Sequence, residues 1–158
     1  MTDRLKIMFL VFCTVTLAYK TAFALQLKVS EKQLIDQSEY IVAGQVVAES
    51  SYWNPEMMLI YTDYTVEISE AVKNNPGTRV IIVRIIGGKI EDIQLAVTDQ
   101  PRLKVGEDVL MHLRKGDQGK MRVLSGFQGK STTMHGVIQK TGESIRSYSE
   151  RVAKMTKK

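Results

Sequence analysis

Few side chains in this 158-residue sequence are of the types that do covalent or metal chemistry. Their spacing works against most of it. Asp63 and Glu67 share one face of a predicted strand, roughly 13 Å apart at ~3.3 Å per residue. Carboxylate pairs that cleave glycosidic bonds sit at most ~9.5 Å apart, so a solvated strand face explains this pair better. Glu91-Asp92 and Glu107-Asp108 lie beside glycines, where they could hold a hard cation weakly or simply shape turns. His112 and His135 are the only histidines and Cys13 the only cysteine. A zinc site would need carboxylates to complete it. Serines are plentiful, yet no Gly-x-Ser-x-Gly elbow exists to present one as a nucleophile. The chain therefore reads as non-enzymatic, with no catalytic residue, no metal and no cofactor.

Residues suited to binding stand out more. Tyr52-Trp53 precedes Asn54-Pro55, an aromatic pair at a predicted loop tip, where partner and sugar anchors are commonly placed. Trp53 could equally fold back over the open end of a barrel. Tyr52, Trp53 and Asn54, with Arg102 and Lys104 from a second irregular segment, are the candidate partner contacts. Gly126-Phe127-Gln128-Gly129-Lys130 has the glycines of a phosphate-cradling loop. No helix clearly follows it, so the helix-terminus logic of anion binding is missing and a closing turn is expected.

The elements that must position these residues come after an N-terminal leader. Arg4 and Lys6 precede an apolar run from Ile7 to Ala18, and Ala22-Phe23-Ala24 offers small residues for cleavage before Leu25. The run is shorter than the ~20 residues of a membrane-spanning helix. Residues 1–24 are thus expected to be a signal peptide, and the protein to be exported, periplasmic or extracellular. Cys13 would leave with the leader, so no disulfide supports the mature chain. About 134 residues would remain, enough for one core.

The net charge of +5 is unevenly spread. Arg4, Lys6 and Lys20 against Asp3 place part of it in the leader. Lys140, Arg146, Arg151, Lys154, Lys157 and Lys158, against Glu143 and Glu150, concentrate more in residues 139–158. The body between is close to neutral, so basicity gives no argument for a nucleic-acid partner.

Pattern defines the elements. Ser30 to Gln33 has the form of a capping box and predicts a short helix from Glu31 to Gln37. Tyr40 to Ala48 is a β-branched strand with a bulge or bend expected at Gly44. Leu59 to Val72 alternates apolar and polar residues over most of its length, the signature of a strand wet on one side. Arg79 to Ile86 is apolar on both parities except at Arg84 and predicts a central strand. A weaker signal marks Ile93 to Val97, and Val109 to Leu113 is another strand, followed by a hairpin into Met121 to Leu124. Strands and turns at this rhythm indicate an all-β sandwich or barrel. Ile145, Tyr148, Val152 and Met155 form an apolar stripe on a C-terminal helix, capped by Thr141 or Ser144. That helix is expected to dock on the barrel, with an anionic surface as its alternative site.

Several of these segments resemble the netrin-type module, the fold of tissue inhibitors of metalloproteinases. They are Tyr40-Ile41-Val42-Ala43-Gly44-Gln45-Val46, Tyr61-Thr62, the stretch from Leu103 through Gly106-Glu107-Asp108 to Met111, and the hairpin into Val123-Leu124. The Gly-x-Gln-Gly-Lys turn is similar to one in a group of uncharacterised bacterial secreted proteins. The resemblance implies a five- to six-stranded antiparallel OB-like barrel with a short N-terminal helix and a C-terminal amphipathic helix. It does not carry the inhibitory mechanism, because the inhibitors grip zinc through an N-terminal cysteine and this mature chain would begin Leu25-Gln26.

The expected organisation is a signal peptide over 1–24, an OB-like β-barrel over 25–135 and a basic amphipathic helix and tail over 136–158. The expected function is that of an exported, non-enzymatic accessory domain that binds another exported or envelope protein. A module for envelope polysaccharide or polyanion is the alternative, using the barrel face and the tail, and a hydrolase comes third. No nucleic acid is expected as partner, and no transmembrane segment after cleavage.

Overall fold

The structure is a computed structural model that describes residues 28–157. The expected leader and Cys13 lie outside the described residues. Helix α1 spans Glu31–Gln37 and begins with the capping box in full, Ser30 and Gln33 each satisfying the other's backbone N–H. Its last carbonyls receive the Lys73 ammonium, which reaches the oxygens of Ile35 at 2.5 Å and Ser38 at 2.7 Å. A cation there complements the negative end of the helix.

The strands are β1 Tyr40–Trp53, β2 Ile60–Lys73, β3 Val80–Ile86, β4 Gly88–Ile90, β5 Ile93–Leu95, β6 Asp108–Lys115, β7 Met121–Val123, β8 Lys130–Met134 and β9 Val137–Ile138. Helix α2, Ile145–Thr156, closes the chain, with Ser144 as its N-cap. Five strands form a closed ring in the order β1-β2-β3-β7-β6, with β6 returning to β1. This is an OB-like barrel in a mostly β chain with flanking helices.

One pairing departs from the all-antiparallel expectation: β3 meets β7 in parallel, through Val83 and Met121. A ring with an odd number of strands cannot alternate direction throughout, so one parallel seam is required. Other differences are local. Ile93–Leu95 pairs only with β4 in a separate hairpin rather than joining the barrel. Lys130–Met134 is a strand that its own composition does not announce, made by pairing with Val109–Met111 of β6.

Gly44 does what its position predicts. The β1–β2 register shifts between Ala43 and Gly44. A Cβ at residue 44 would lie 2.3 Å from the Glu67 carbonyl oxygen, so no side chain fits at this bend. The bend lets Tyr40–Gln45 pair with β6 while the same strand pairs with β2 along its length.

Two apolar clusters share the barrel wall. Inside lie Val42, Val46, Val66, Val83, Met111 and Leu113 with their neighbours. The opposite parity of β1 and β6 supplies Ile41, Ala43 and Leu110 to an outer cluster, covered by Ile35 of α1 and by Tyr148 and Val152 of α2. Over Ile41–Ala43 of β1 and Val109–Leu113 of β6 successive residues are buried on both faces because both faces are covered. Helix α2 is docked. Its Arg151 guanidinium also forks onto Glu31 of α1 at 2.8 and 2.9 Å and onto Glu143 at 2.7 Å, tying the two ends of the described chain together.

Candidate functional site

The uncovered outer face belongs to the Tyr61–Asp63 part of β2, to β3 and β7, and to the distal end of β1, while the Val72 end of β2 lies against α2. Register sets its first layer: Tyr52 stands opposite Tyr61, and Asp63 opposite Arg84. The two tyrosine rings lie 6.2 Å apart and tilted. The Arg84 guanidinium sits 5.6 Å from the Tyr52 ring centre and 5.3 Å from that of Tyr61, within cation–π range of both. Asp63 holds the group together. It accepts from Arg84 Nε at 3.0 Å, from the Tyr52 hydroxyl at 3.1 Å and from Lys120 Nζ at 2.5 Å. Lys120 arrives from the turn between β6 and β7.

The Asp63 side chain is only 14% exposed. Burial alone would raise its pKa, but the donors from Arg84, Lys120 and Tyr52 outweigh that and hold it below the ordinary carboxylate range. The hydrogen bond to Asp63 in turn raises Lys120. Asp63 is therefore the centre of a charge network, not the solvated face residue its alternation suggests. Glu67 is exposed, as expected.

Beside this network a cleft of about 200 Å³ opens, lined among others by Tyr61, Arg84, Arg114, Arg122, Ser125 and Gly126. One wall is the turn at residues 125–126. Both residues there adopt left-handed conformations, with φ of 54° and 60°. A Cβ at Gly126 would lie 1.9 Å from the Asp99 carbonyl oxygen, so glycine is required for the close approach. Gly126–Gly129 is a short 3-10 turn leading into β8, in place of any phosphate-cradling helix start.

The five candidate contacts do not share one surface. Tyr52 belongs to the Asp63 network. Trp53 is half-buried at the end of β1, paired with Ile60. Asn54 is 5% exposed and builds the turn: its Oδ1 accepts from the N–H groups of Met58 and Leu59, each at 2.8 Å. The exposed tip of that turn is Met57 and Met58, at 65% and 72%. Arg102 and Lys104 are exposed and line a different cleft of about 300 Å³, with Tyr64, Gly87, Gly88 and Leu95. Arg84, Lys120, Arg114 and Arg122 complete the uncovered face without any motif to mark them. The one available signal was Arg84 as the sole charge in an apolar run.

The remaining chemistry-bearing residues are structurally engaged. Glu91 and Asp92 turn the β4–β5 hairpin. Glu107 accepts from Lys130 and, at 2.7 Å, from the Thr132 hydroxyl, fastening the start of β6 to β8. His112 lies beneath the two helices at 7% exposure, its Nδ1 3.1 Å from Ser38 Oγ and its Nε2 3.2 Å from the Tyr148 hydroxyl. Ser38 also donates to the Leu34 carbonyl. One assignment is consistent with all three contacts: Tyr148 donates to Nε2, and Nδ1–H donates to Ser38. Burial pushes the His112 pKa down to about 4. Among the described residues, no group of three His, Cys, Asp or Glu side chains is placed to hold a metal ion.

No protein-family model matches the chain, and no match is found among curated proteins. What the structure establishes is a class by fold, a closed β-barrel with flanking helices. Among the described residues, no helix is long and apolar enough to cross a membrane.

Proposed function

We propose that this chain is an exported, non-enzymatic binding domain that docks onto another exported or envelope protein through the uncovered β2–β3 face. The observation that carries this is the cluster of Tyr52, Tyr61, Arg84 and Lys120 gathered on one half-buried carboxylate. It lies on strands two and three and on the β6–β7 turn, the region through which OB-type barrels engage ligands. Tyrosine and arginine held rigid are also the side chains that dominate binding energy at interfaces. Beyond the face, the β1–β2 turn offers Met57 and Met58, adaptable apolar side chains on a tip held by Asn54. Export rests on the leader read in residues 1–24, and the likeness to the netrin-type module is part of the same proposal.

The second reading, a polyanion or polysaccharide module, is favoured by one feature, the arginines of the adjoining cleft. The docked α2 gives it less support, because the stripe that would have lain on an anionic surface faces the barrel.

The test is capture of partners from the source's own envelope fraction by the mature chain, compared with Tyr61→Ala and Met57→Ser/Met58→Ser variants. A defined protein recovered by the wild type and lost with Tyr61→Ala supports the proposal. Equal recovery by all three removes the face and the tip from it. N-terminal sequencing of exported material should begin at Leu25. Retention of the intact leader in the cytoplasm would overturn the export step.

A further inference from the structure

We infer that the cleft beside the Asp63 network is an oxyanion-binding site, taking a sulfate, phosphate or carboxylate group between Arg114, Arg122 and Arg84. This rests on reading the uncovered face as a binding surface, and it names the ligand chemistry there.

Three neighbouring strands of the ring each place one arginine toward the same cleft: Arg84 from β3, Arg122 from β7 and Arg114 from β6. No carboxylate is among the residues that line it. Arg114 and Arg122 stand directly opposite each other in the β6–β7 ladder. Like charges in that position repel and weaken the pairing, so the arrangement works against the hairpin unless an anion sits between them. The partners nearby do not relieve it. Arg122 pairs with Asp117 at 2.8 Å, but the aspartate side chain is 77% exposed, and such pairs contribute little. The Arg114 guanidinium has no partner among the described residues. Arg84 uses Nε on Asp63 and reaches Gln118 through Nη2 only at 3.4 Å.

Guanidinium groups suit this task because their planar fork of donors matches two oxygens of an oxyanion at once. The cleft volume of about 200 Å³ is several times the ~30 Å³ share of one liquid water. One oxyanion with part of its hydration shell fits. Ser125 adds a hydroxyl to the wall, and Tyr61 an aromatic face for whatever carries the anion.

The group could be a free ion or one unit of an acidic polymer, and two probes separate these sources. Sodium sulfate is titrated calorimetrically into the mature chain at constant ionic strength. Dextran sulfate is then compared with neutral dextran. The variants are Arg114→Ala/Arg122→Ala and Arg114→Glu alone, with Lys154→Ala/Lys157→Ala as the tail control. Arg114 is exposed and has no partner among the described residues, so Arg114→Glu keeps the fold, which circular dichroism and the melting temperature verify.

Affinity for sulfate, or for dextran sulfate alone, should fall at least about tenfold in both cleft variants, with a shallower salt dependence, and stay near wild type in the tail control. The first pattern identifies a free-anion site and the second a polymer site. Wild-type affinity in folded cleft variants, loss only in the tail control, or no binding to either probe would each overturn the inference. Arginine-dependent anion binding without any captured protein would sink the protein-partner proposal and leave the site standing. Intact, Tyr61-dependent capture without anion binding would do the reverse.

Discussion

The two outer faces of this barrel handle polar side chains in opposite ways. Under α1 and α2, the wall formed by β1 and β6 buries Ile41, Ala43 and Leu110. Its polar residues there, Ser38, His112 and Tyr148, close a hydrogen-bond chain on themselves. Across the ring, the outer face around Tyr61–Asp63 of β2 and Arg84 of β3 gathers Tyr52, Tyr61, Arg84 and Lys120 around one carboxylate, and only the far end of β2, at Val72, lies under α2. The covered face is neutral and finished. The bare face leaves Arg114 without a partner among the described residues and places Arg122 opposite it, which is the feature the proposed anion site rests on.

The contrast can be broken first by truncation. Tyr148→Ala removes a fully packed ring from the covered face and should destabilise the domain by about 3–5 kcal/mol. Tyr61→Ala, on the bare face, should cost about 1 kcal/mol or less. Urea unfolding of both measures the difference, and equal losses would erase the distinction between the faces.

Acid should act next, through His112. Its folded pKa of about 4 lies below the ordinary 6.5, so the unfolded chain binds the extra proton between those values. The stability associated with the neutral imidazole is complete above about pH 6.5, falls as pH drops through that window, and reaches its full loss of roughly 3 kcal/mol near pH 4. Asp63 and Glu107, whose pKa values are lowered in the fold, lose their contribution at still lower pH. A His112→Gln variant should flatten the upper part of the profile, and an unchanged slope would refute the assignment to His112.

A smaller loss is expected from Asp63→Asn. It leaves Arg84 and Lys120 facing a neutral amide, and about 1–2 kcal/mol is expected once partial exposure is allowed for. Thermal melts at pH 7 read it, and the variant should also lower recovery of any ligand of this face. The smallest effect has the opposite sign. Arg114→Ala relieves a like-charge pair and should stabilise the free domain by about 0.2–0.5 kcal/mol, while weakening anion binding. A destabilised Arg114→Ala would show that the two arginines are structurally required.

Local signals carried much of the architecture in the sequence. The capping box at Ser30 and Gln33 needs only neighbouring residues, and α1 begins where it says. The alternation from Leu59 to Val72, the irregularity at Gly44 and the stripe on α2 are likewise short-range facts, although what the stripe packs against is not. Pairing over long distance was not legible. Lys-Ser-Thr-Thr-Met at 130–134 carries almost no apolar pattern and becomes β8 because β6 offers it an open edge. Asn54 beside Pro55 has the composition of an exposed turn, yet its amide is the turn's internal scaffold. The proposed binding face was hidden for the same reason. Its residues are dispersed from position 52 to position 122, and only strand register brings Tyr52 to Tyr61, Asp63 to Arg84 and Arg114 to Arg122.

The single parallel contact, Val83 with Met121, makes the ring closed but not uniformly fastened. Along this joint one ladder pair stands where other joints have three or more. Breathing motions that part the wall should begin there, exchanging nearby amides before those of β1 and β2. Arg84 stands on one lip of the joint, Arg122 and Arg114 on the other. An anion gripped from both lips would act as a clasp, so occupancy of the cleft would be felt as slower solvent exchange in the backbone around Val83 and Met121.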